Sequence, residues 1–516
     1  MTRHLASVAL FPLNSLVSSL PKEANPMQSG DAPLAQNLAA LLEDQTVRWV
    51  ILLATSFLVL FANAHQSRLY GDPLVYAGEA RLIADSGEYA TLRFGQELNH
   101  HGPLLFWLSA VAIKIFGPTP FAASFFSRLF GIGCVILTVW LGSYLFGKNT
   151  GWLAALALVT CYTFVRNTTT LRMDSALTFG VLLAMVGYFR GEKPWGPPLF
   201  YVGIAVAVLA KSLPGFLPLF LAPFHALLAG NLSWPWKRPA RRWLYWSPLL
   251  LVPLAWWAYL AMQYGSEVFA IYLNDFLSPD GQPAGIRRAY RFFEVYIFDF
   301  GRKYLPWIFF TGIGLWTSFR VALDSNAARR ERADAGLMLG WIIAVLIASG
   351  LKPSQYQHYL MPALPVIAIV SAAPVVQILN NRIPAWISGG VAILTVTAAL
   401  VLNYLAVTNE TTNTQRYLAM ADVINRRLES QAPVAILTLR TNPSEHAFLL
   451  WGERGRCRFF FGREAQAMTI TDAKEALRHG RLTIIVPTTY KNLASELHLA
   501  TLIETNDWVL AEGGSI

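Results

Sequence analysis

The polar stretch after the first long apolar run holds the densest set of reactive side chains in the chain. It reads Tyr70-Gly-Asp-Pro-Leu-Val-Tyr-Ala-Gly-Glu79 and runs on to Asn99-His-His-Gly-Pro-Leu-Leu-Phe-Trp107. A carboxylate such as Asp72 can take a proton from a hydroxyl while that oxygen attacks an activated carbon. Asp72 also precedes Pro73, a pattern that caps a helix N-terminus. The two roles are compatible. Glu79 follows two helical turns later on the same face, where it orients a substrate or is simply solvated. His100 and His101 can bind a sugar phosphate or, with Glu97, a metal. Adjacent histidines point in different directions in regular structure, so the metal is disfavoured.

Further polar groups punctuate later apolar runs. Arg172-Met-Asp174 opens one of them, and ionisable groups there are costly unless partnered or functional. The pair can position Asp72 or a sugar, or form a local ion pair around a snorkelling arginine. Lys211-Ser-Leu-Pro-Gly215 and the segment from Lys352 to Pro365 place two lysines outside, against the positive-inside rule. An anionic lipid phosphate would account for both, because cations hold the phosphate and the charge that develops as it leaves. The bland reading is headgroup contact. Tyr272, Asn274 and Asp275 are weaker candidates for lining an acceptor groove.

The elements that position these groups are membrane helices. Of 516 residues, 54% are hydrophobic and only 14% charged, well short of a soluble protein's charged fraction. About eleven apolar runs approach the roughly 20 residues of a span. They lie near residues 48–64, 120–146, 151–164, 175–188, 199–210, 215–228, 245–262, 305–321, 335–349, 359–379 and 387–407. Pro103–Phe116 is apolar but short, and is expected to lie at the interface. The net charge of +10 is not a nucleic-acid signature. With the N-terminus inside, the basic clusters at 237–242 and 329–332 fall in inside loops, as the positive-inside rule requires. The polar loops at 65–119, 165–174, 264–304 and 350–358 then face outside.

Three domains are expected: a disordered cytoplasmic tail at 1–46, a transmembrane domain at 47–407, and an extracytoplasmic α/β domain at 408–516. The last alternates helix-like pieces with strand-like ones at 433–439, 457–461, 482–487 and 508–510. No Gly-rich phosphate loop follows a strand there. Cys134, Cys161 and Cys457 form no disulfide framework. No internal repeat of the kind common in transporters is evident.

Taken together, the segments from about Val47 to Val407 resemble the integral-membrane glycosyltransferases of GT-C type, in the branch of the lipid A aminoarabinose transferases and protein O-mannosyltransferases. The matching elements are Asp72 with Tyr76-Ala-Gly-Glu-Ala80, His101-Gly-Pro-Leu-Leu-Phe-Trp107, Phe121 to Arg128, Arg172-Met-Asp174, Lys211-Ser-Leu-Pro-Gly215, Leu305-Pro-Trp307, and Lys352 with Tyr359-Leu-Met-Pro-Ala-Leu-Pro365. Each is short, but their order and side of the membrane agree. Two departures stand out. The family's second carboxylate after Asp72 is Pro73 here, and Gly102 replaces a proline.

The resemblance implies an inverting transfer from a polyprenyl-phosphate sugar to a lipid, glycan or protein acceptor, on the outer face of a bacterial inner membrane. Asp72 would be the base. Tyr76, Glu79, His101, Arg172, Asp174, Lys211, Lys352, Tyr356 and Tyr359 would bind substrates. Membrane lipid is a partner and nucleic acid is not. No cofactor is required by the pattern, although a divalent metal remains open. The alternatives are a transporter or flippase of polyprenyl-linked sugars, and a non-catalytic member that only binds lipid. A transporter should hold its ionisable residues near mid-membrane, whereas here they collect at one face.

Overall fold

A computed structural model describes residues 44–61, 64, 69, 71–90, 93–94, 97–98, 101–230, 240–270, 286–352, 354–379, 397, 416–428, 433–438, 455–480, 482–505 and 508–513. The tail before residue 44, nearly all of the run at 387–407, His100, and the loop with Tyr272, Asn274 and Asp275 lie outside the described residues.

The chain is a polytopic helix bundle followed by a small C-terminal sheet. In order come α1 (Gln45–Phe61), α2 (Asp72–Ser86), a two-residue hairpin pair β1 (Arg93–Phe94) and β2 (Glu97–Leu98), and α3 (Leu104–Phe116). Next are α4 (Pro120–Phe146), α5 (Lys148–Val159), α6 (Tyr162–Thr168), α7 (Asp174–Phe189), α8 (Gly196–Lys211), α9 (Leu217–Leu228) and α10 (Leu251–Tyr264). Helices α11 (Trp307–Leu323), α12 (Arg329–Leu351) and α13 (Leu364–Ile378) close the bundle. Among the described residues, four helical runs are long and apolar enough to cross a membrane: 120–146, 241–264, 329–351 and 357–378. Six shorter apolar helices stand with them, α3 included. At 1.5 Å per residue α3 extends about 20 Å, too short for a 30 Å hydrocarbon core. The outward faces of α11 and α12 expose Phe309, Trp316, Ile343 and Ile347. Lipid is the solvent that tolerates such faces.

Local chemistry explains several boundaries. Thr119 caps α4 by accepting from the Ala122 amide, with Pro120 at the first helical position. The single run expected at 151–164 is instead two helices. The Thr160 hydroxyl turns back to the Leu156 and Ala157 carbonyls at 2.9 and 3.0 Å, and Trp307 Nε1 donates to it at 3.0 Å. A hydroxyl bonded to the preceding turn competes with the helical ladder. Arg128, fully buried in α4, donates to the carbonyls of Leu60 and Thr169 and to Ser124 Oγ. It thereby ties α1 to the end of α6. At the opposite end of the bundle, Tyr188 Oη lies 2.8 Å from His225 Nδ1, and His225 Nε2 lies 2.9 Å from Asp334 Oδ1. That chain joins the last turns of α7 and α9 to the first turns of α12.

The C-terminal part contains β3 (Val434–Thr438), β4 (Ala465–Thr469), α14 (Ile470–His479), β5 (Leu482–Pro487), α15 (Lys491–Glu496), β6 (Ala500–Glu504) and β7 (Trp508–Gly513). The strand order is β4-β3-β5-β7-β6, with β3 parallel to β4 and β5, and β7 antiparallel to β5 and β6. Alternate residues serve two cores. Leu437, Ile484, Val486 and Val509 pack under α14 and α15. Ile436, Ile485, Leu510 and Trp508 join a second cluster with Leu74 of α2, Phe106 of α3 and Trp256 of α10. The sheet is therefore welded to the outer helices. One expectation is corrected: Cys457–Phe461 is a helical turn, not a strand. All five of its side chains are buried, so its apolar run carries no alternation to separate turn from strand. Strands β4 and β6 were not anticipated.

Candidate active site at the ends of the helices

Asp72 is the first residue of α2, and Gly71 occupies the cap position with φ 64° and no side-chain cap. The capping role expected for Asp72 is thus not what the structure shows. Its carboxylate sits at the positive end of the helix dipole, two-fifths exposed, with Arg172 Nη1 3.9 Å away. The same Arg172 nitrogen lies 3.2 Å from His358 Nδ1. One arginine therefore joins the α2 carboxylate to the segment that precedes α13.

That segment is aromatic and cationic. The rings of Tyr356 and His358 stack at 5.5 Å, and His358 meets Tyr359 edge-on at 4.5 Å. Lys211 and Lys352 both lie over the Tyr359 ring, at 5.0 and 5.2 Å from its centroid. Two lysines brought to one ring concentrate positive charge that an anion would relieve. Lys211 Nζ also donates to Asp174 Oδ1 at 2.6 Å, and Asp174 is almost wholly buried. An ammonium has three N–H donors, so this bond occupies one.

A second link closes the site. Tyr76 Oη lies 3.1 Å from His101 Nε2. Burial pushes the Tyr76 phenol well above its usual range, and the nearby Asp72 carboxylate pushes it further. It stays a neutral hydrogen-bonding group across the physiological range. His101, Asp174, Lys211, Lys352 and Tyr359 line the polar end of a cleft of about 270 Å³. Its walls are apolar: Leu177 from α7, Leu217 from α9, and Ala344, Val345 and Ala348 from α12.

The glycine that replaces a proline after His101 has a steric reason. A Cβ on Gly102 would run into the backbone carbonyl of Leu209 and the backbone of Ala210, directly before Lys211. The close approach brings His101 to the lysine end of the cleft. Gly102→Ala should therefore lower both thermal stability, by about 1–3 kcal/mol, and ligand affinity at the lysine end of the cleft. Gly312→Ala, at an open position within α11, is the control. Unchanged melting and binding in Gly102→Ala would remove the packing argument.

Of the ten residues proposed from sequence, the structure connects nine through these contacts. Glu79 is the exception: it is fully buried and paired with Arg458, away from the cleft. His358 was passed over, and its place between Tyr356 and Tyr359 gives no local sign of its meeting with Arg172. Ser212, beside Lys211, has φ 56° and a buried hydroxyl without a hydrogen-bond partner. Nothing in its sequence context announces that strain. Asp299, Lys303 and Gln357 form a further polar knot, with Lys303 Nζ 2.6 Å from Asp299 Oδ2 and 3.2 Å from Gln357 Oε1. The Lys303 bond holds the Asp299 carboxyl below the usual range. Among the described residues, no group of three or more His, Cys, Asp or Glu side chains is placed to hold a metal.

The architecture is that of the GT-C type of integral-membrane glycosyltransferases. ArnT from Cupriavidus metallidurans, in a crystal structure bound to undecaprenyl phosphate, superposes with a TM-score of 0.69 at 15% identity, over 91% of this chain and 98% of that one. Residues 100–258 match the family described as dolichyl-phosphate-mannose-protein mannosyltransferase. The archaeal oligosaccharyltransferase AglB from Archaeoglobus fulgidus, in complex with an inhibitory peptide and a dolichol-phosphate, gives a TM-score of 0.52 at 15% identity, over 91% of this chain and 71% of AglB. An uncharacterized protein of Aquifex aeolicus (strain VF5) is 25% identical over 310 residues, and the match spans 57% of that relative.

Proposed function

We propose that this protein transfers a sugar from a polyprenyl-phosphate donor to an acceptor hydroxyl at the outer face of a bacterial inner membrane. The observation that carries the reading is the cleft itself: apolar walls from α7, α9 and α12 end at Lys211 and Lys352, both over the Tyr359 ring. An isoprenoid chain suits the walls and a phosphate suits the lysines. Undecaprenyl phosphate in the ArnT structure and dolichol-phosphate in the AglB structure support the same ligand class.

In the proposed step, Asp72 accepts the proton of the acceptor hydroxyl as its oxygen bonds to the anomeric carbon. The bond from that carbon to the phosphate oxygen breaks, and the electron pair leaves on the phosphate. The lysines stabilise that charge as it grows, so no general acid is needed. Attack opposite the leaving group inverts the anomeric centre. Arg172 and Asp174 shape the sugar site, with Tyr76, His101, Tyr356 and Tyr359 around it.

The proposed division keeps the transferase domain at 47–407 and the extracytoplasmic α/β domain at 408–516. The latter lies over the mouth of the site and contributes to acceptor choice. Envelope glycans and lipids from cells with and without the gene, compared by mass spectrometry, test the reading. A sugar substituent that disappears with the gene and returns with the wild-type protein supports it, and unchanged glycans and lipids oppose it. A C-terminal reporter active only in the cytoplasm would invert the topology and overturn the assignment of sides.

A further inference from the structure

Glu79 and Arg458 are both almost wholly buried, and Arg458 Nη1 donates to Glu79 Oε2 at 3.3 Å. Arg458 Nε donates to Glu464 Oε1 at 2.8 Å, and the Glu464 carbonyl accepts from the Val434 amide at 2.7 Å. The guanidinium therefore bridges α2 to Glu464, directly before β4, whose carbonyl meets the first residue of β3. Around it the backbones touch. A Cβ on Gly78 would sit 2.7 Å from the Gly455 carbonyl oxygen, and one on Gly455 would sit 2.6 Å from Val75 Cα. Arg81 Nη1 donates to the Phe459 carbonyl one turn further along α2. These contacts fall on residues 75–81, within the short helix whose first residue is Asp72.

A buried ion pair is seldom the cheapest way to stabilise a fold, because the desolvation of both charges offsets their attraction. What it supplies is one register between two surfaces. We infer that Arg458 is a positioning residue for Asp72: the C-terminal sheet sets the height and rotation of α2, and so the place of the carboxylate at its start. The inference rests on the proposed role of Asp72 as base. A displacement on the scale of 1 Å at a reacting group can cost about 100-fold in rate.

The test uses full-length protein and separates position from stability. Arg458→Met leaves Glu79 buried without its arginine and should lower the melting temperature. The double variant Glu79→Gln with Arg458→Met removes both charges and should regain most of that stability. Its kcat for sugar transfer should still fall roughly 10- to 100-fold, with undecaprenyl-phosphate affinity within about twofold of wild type by the same argument. Arg458→Lys, which keeps the charge but not the fork, should recover only part of kcat. If kcat returns with the melting temperature in the double variant, Arg458 serves the fold alone and the inference falls. Asp72→Asn runs beside them. Full activity in that variant overturns the base, and with it this role. An inactive Asp72→Asn beside a fully active double variant overturns the role of Arg458 only.

Discussion

Replacing Asp72 with Asn should slow sugar transfer by about 10²–10⁴-fold, the usual cost of removing a general base. Donor lipid should still bind, because the cleft meets its ligand through Lys211, Lys352 and apolar walls rather than through Asp72. Asn is also as good a helix-start residue as Asp. The structure sharpens the comparison, since Gly71 holds the cap position and no side-chain capping bond is lost. The substitution keeps size and polarity and removes only basicity and charge. Folded protein with normal donor binding and near-normal turnover would eliminate Asp72 as base.

Lys352→Met should weaken polyprenyl-phosphate binding by roughly 1.5–3 kcal/mol, or about 10- to 100-fold, on the scale of a charge-assisted hydrogen bond. Lys211→Met should do the same and also destabilise the protein. Lys211 neutralises Asp174, whose side chain is only 4% exposed. Stripping one partner from a buried pair typically costs about 3–5 kcal/mol. Pairing Lys211→Met with Asp174→Asn should restore the melting temperature without restoring affinity. Donor affinity unchanged in both single lysine variants would take the lysines out of the site. A double variant that regains affinity along with stability would reduce Lys211 to a structural partner of Asp174.

The helices were legible because lipid imposes a simple rule: long apolar runs with polar breaks. Ten of the eleven runs coincide with described helices, one of them split at Thr160 by a hydroxyl that bonds both backward and across to Trp307. Lys211 and Lys352 stood out because a lysine in an expected outside loop runs against the positive-inside rule. Glu79 misled, since helical spacing reports a shared face but not what covers it. Its partner Arg458 lies hundreds of residues away, and no local pattern encodes that meeting. The turn at Cys457–Phe461 failed for a related reason: a segment buried on every side has no polar phase from which to infer its period.

The chain Tyr188–His225–Asp334 has a bearing on traffic. The cleft opens between one end of α7, α9 and α12, and this chain knots the other end of the same three helices. Separating the knotted ends would break two hydrogen bonds, one of them buried, and leave their polar groups without partners. On the proposed function, the three helices act in mechanical terms as a clothes-peg: the knot is the spring end, and the jaws are where a long isoprenoid tail enters. A passenger that enters between the jaws must leave by them. On that reading the chamber is a cul-de-sac, suited to exchanging a headgroup at one mouth.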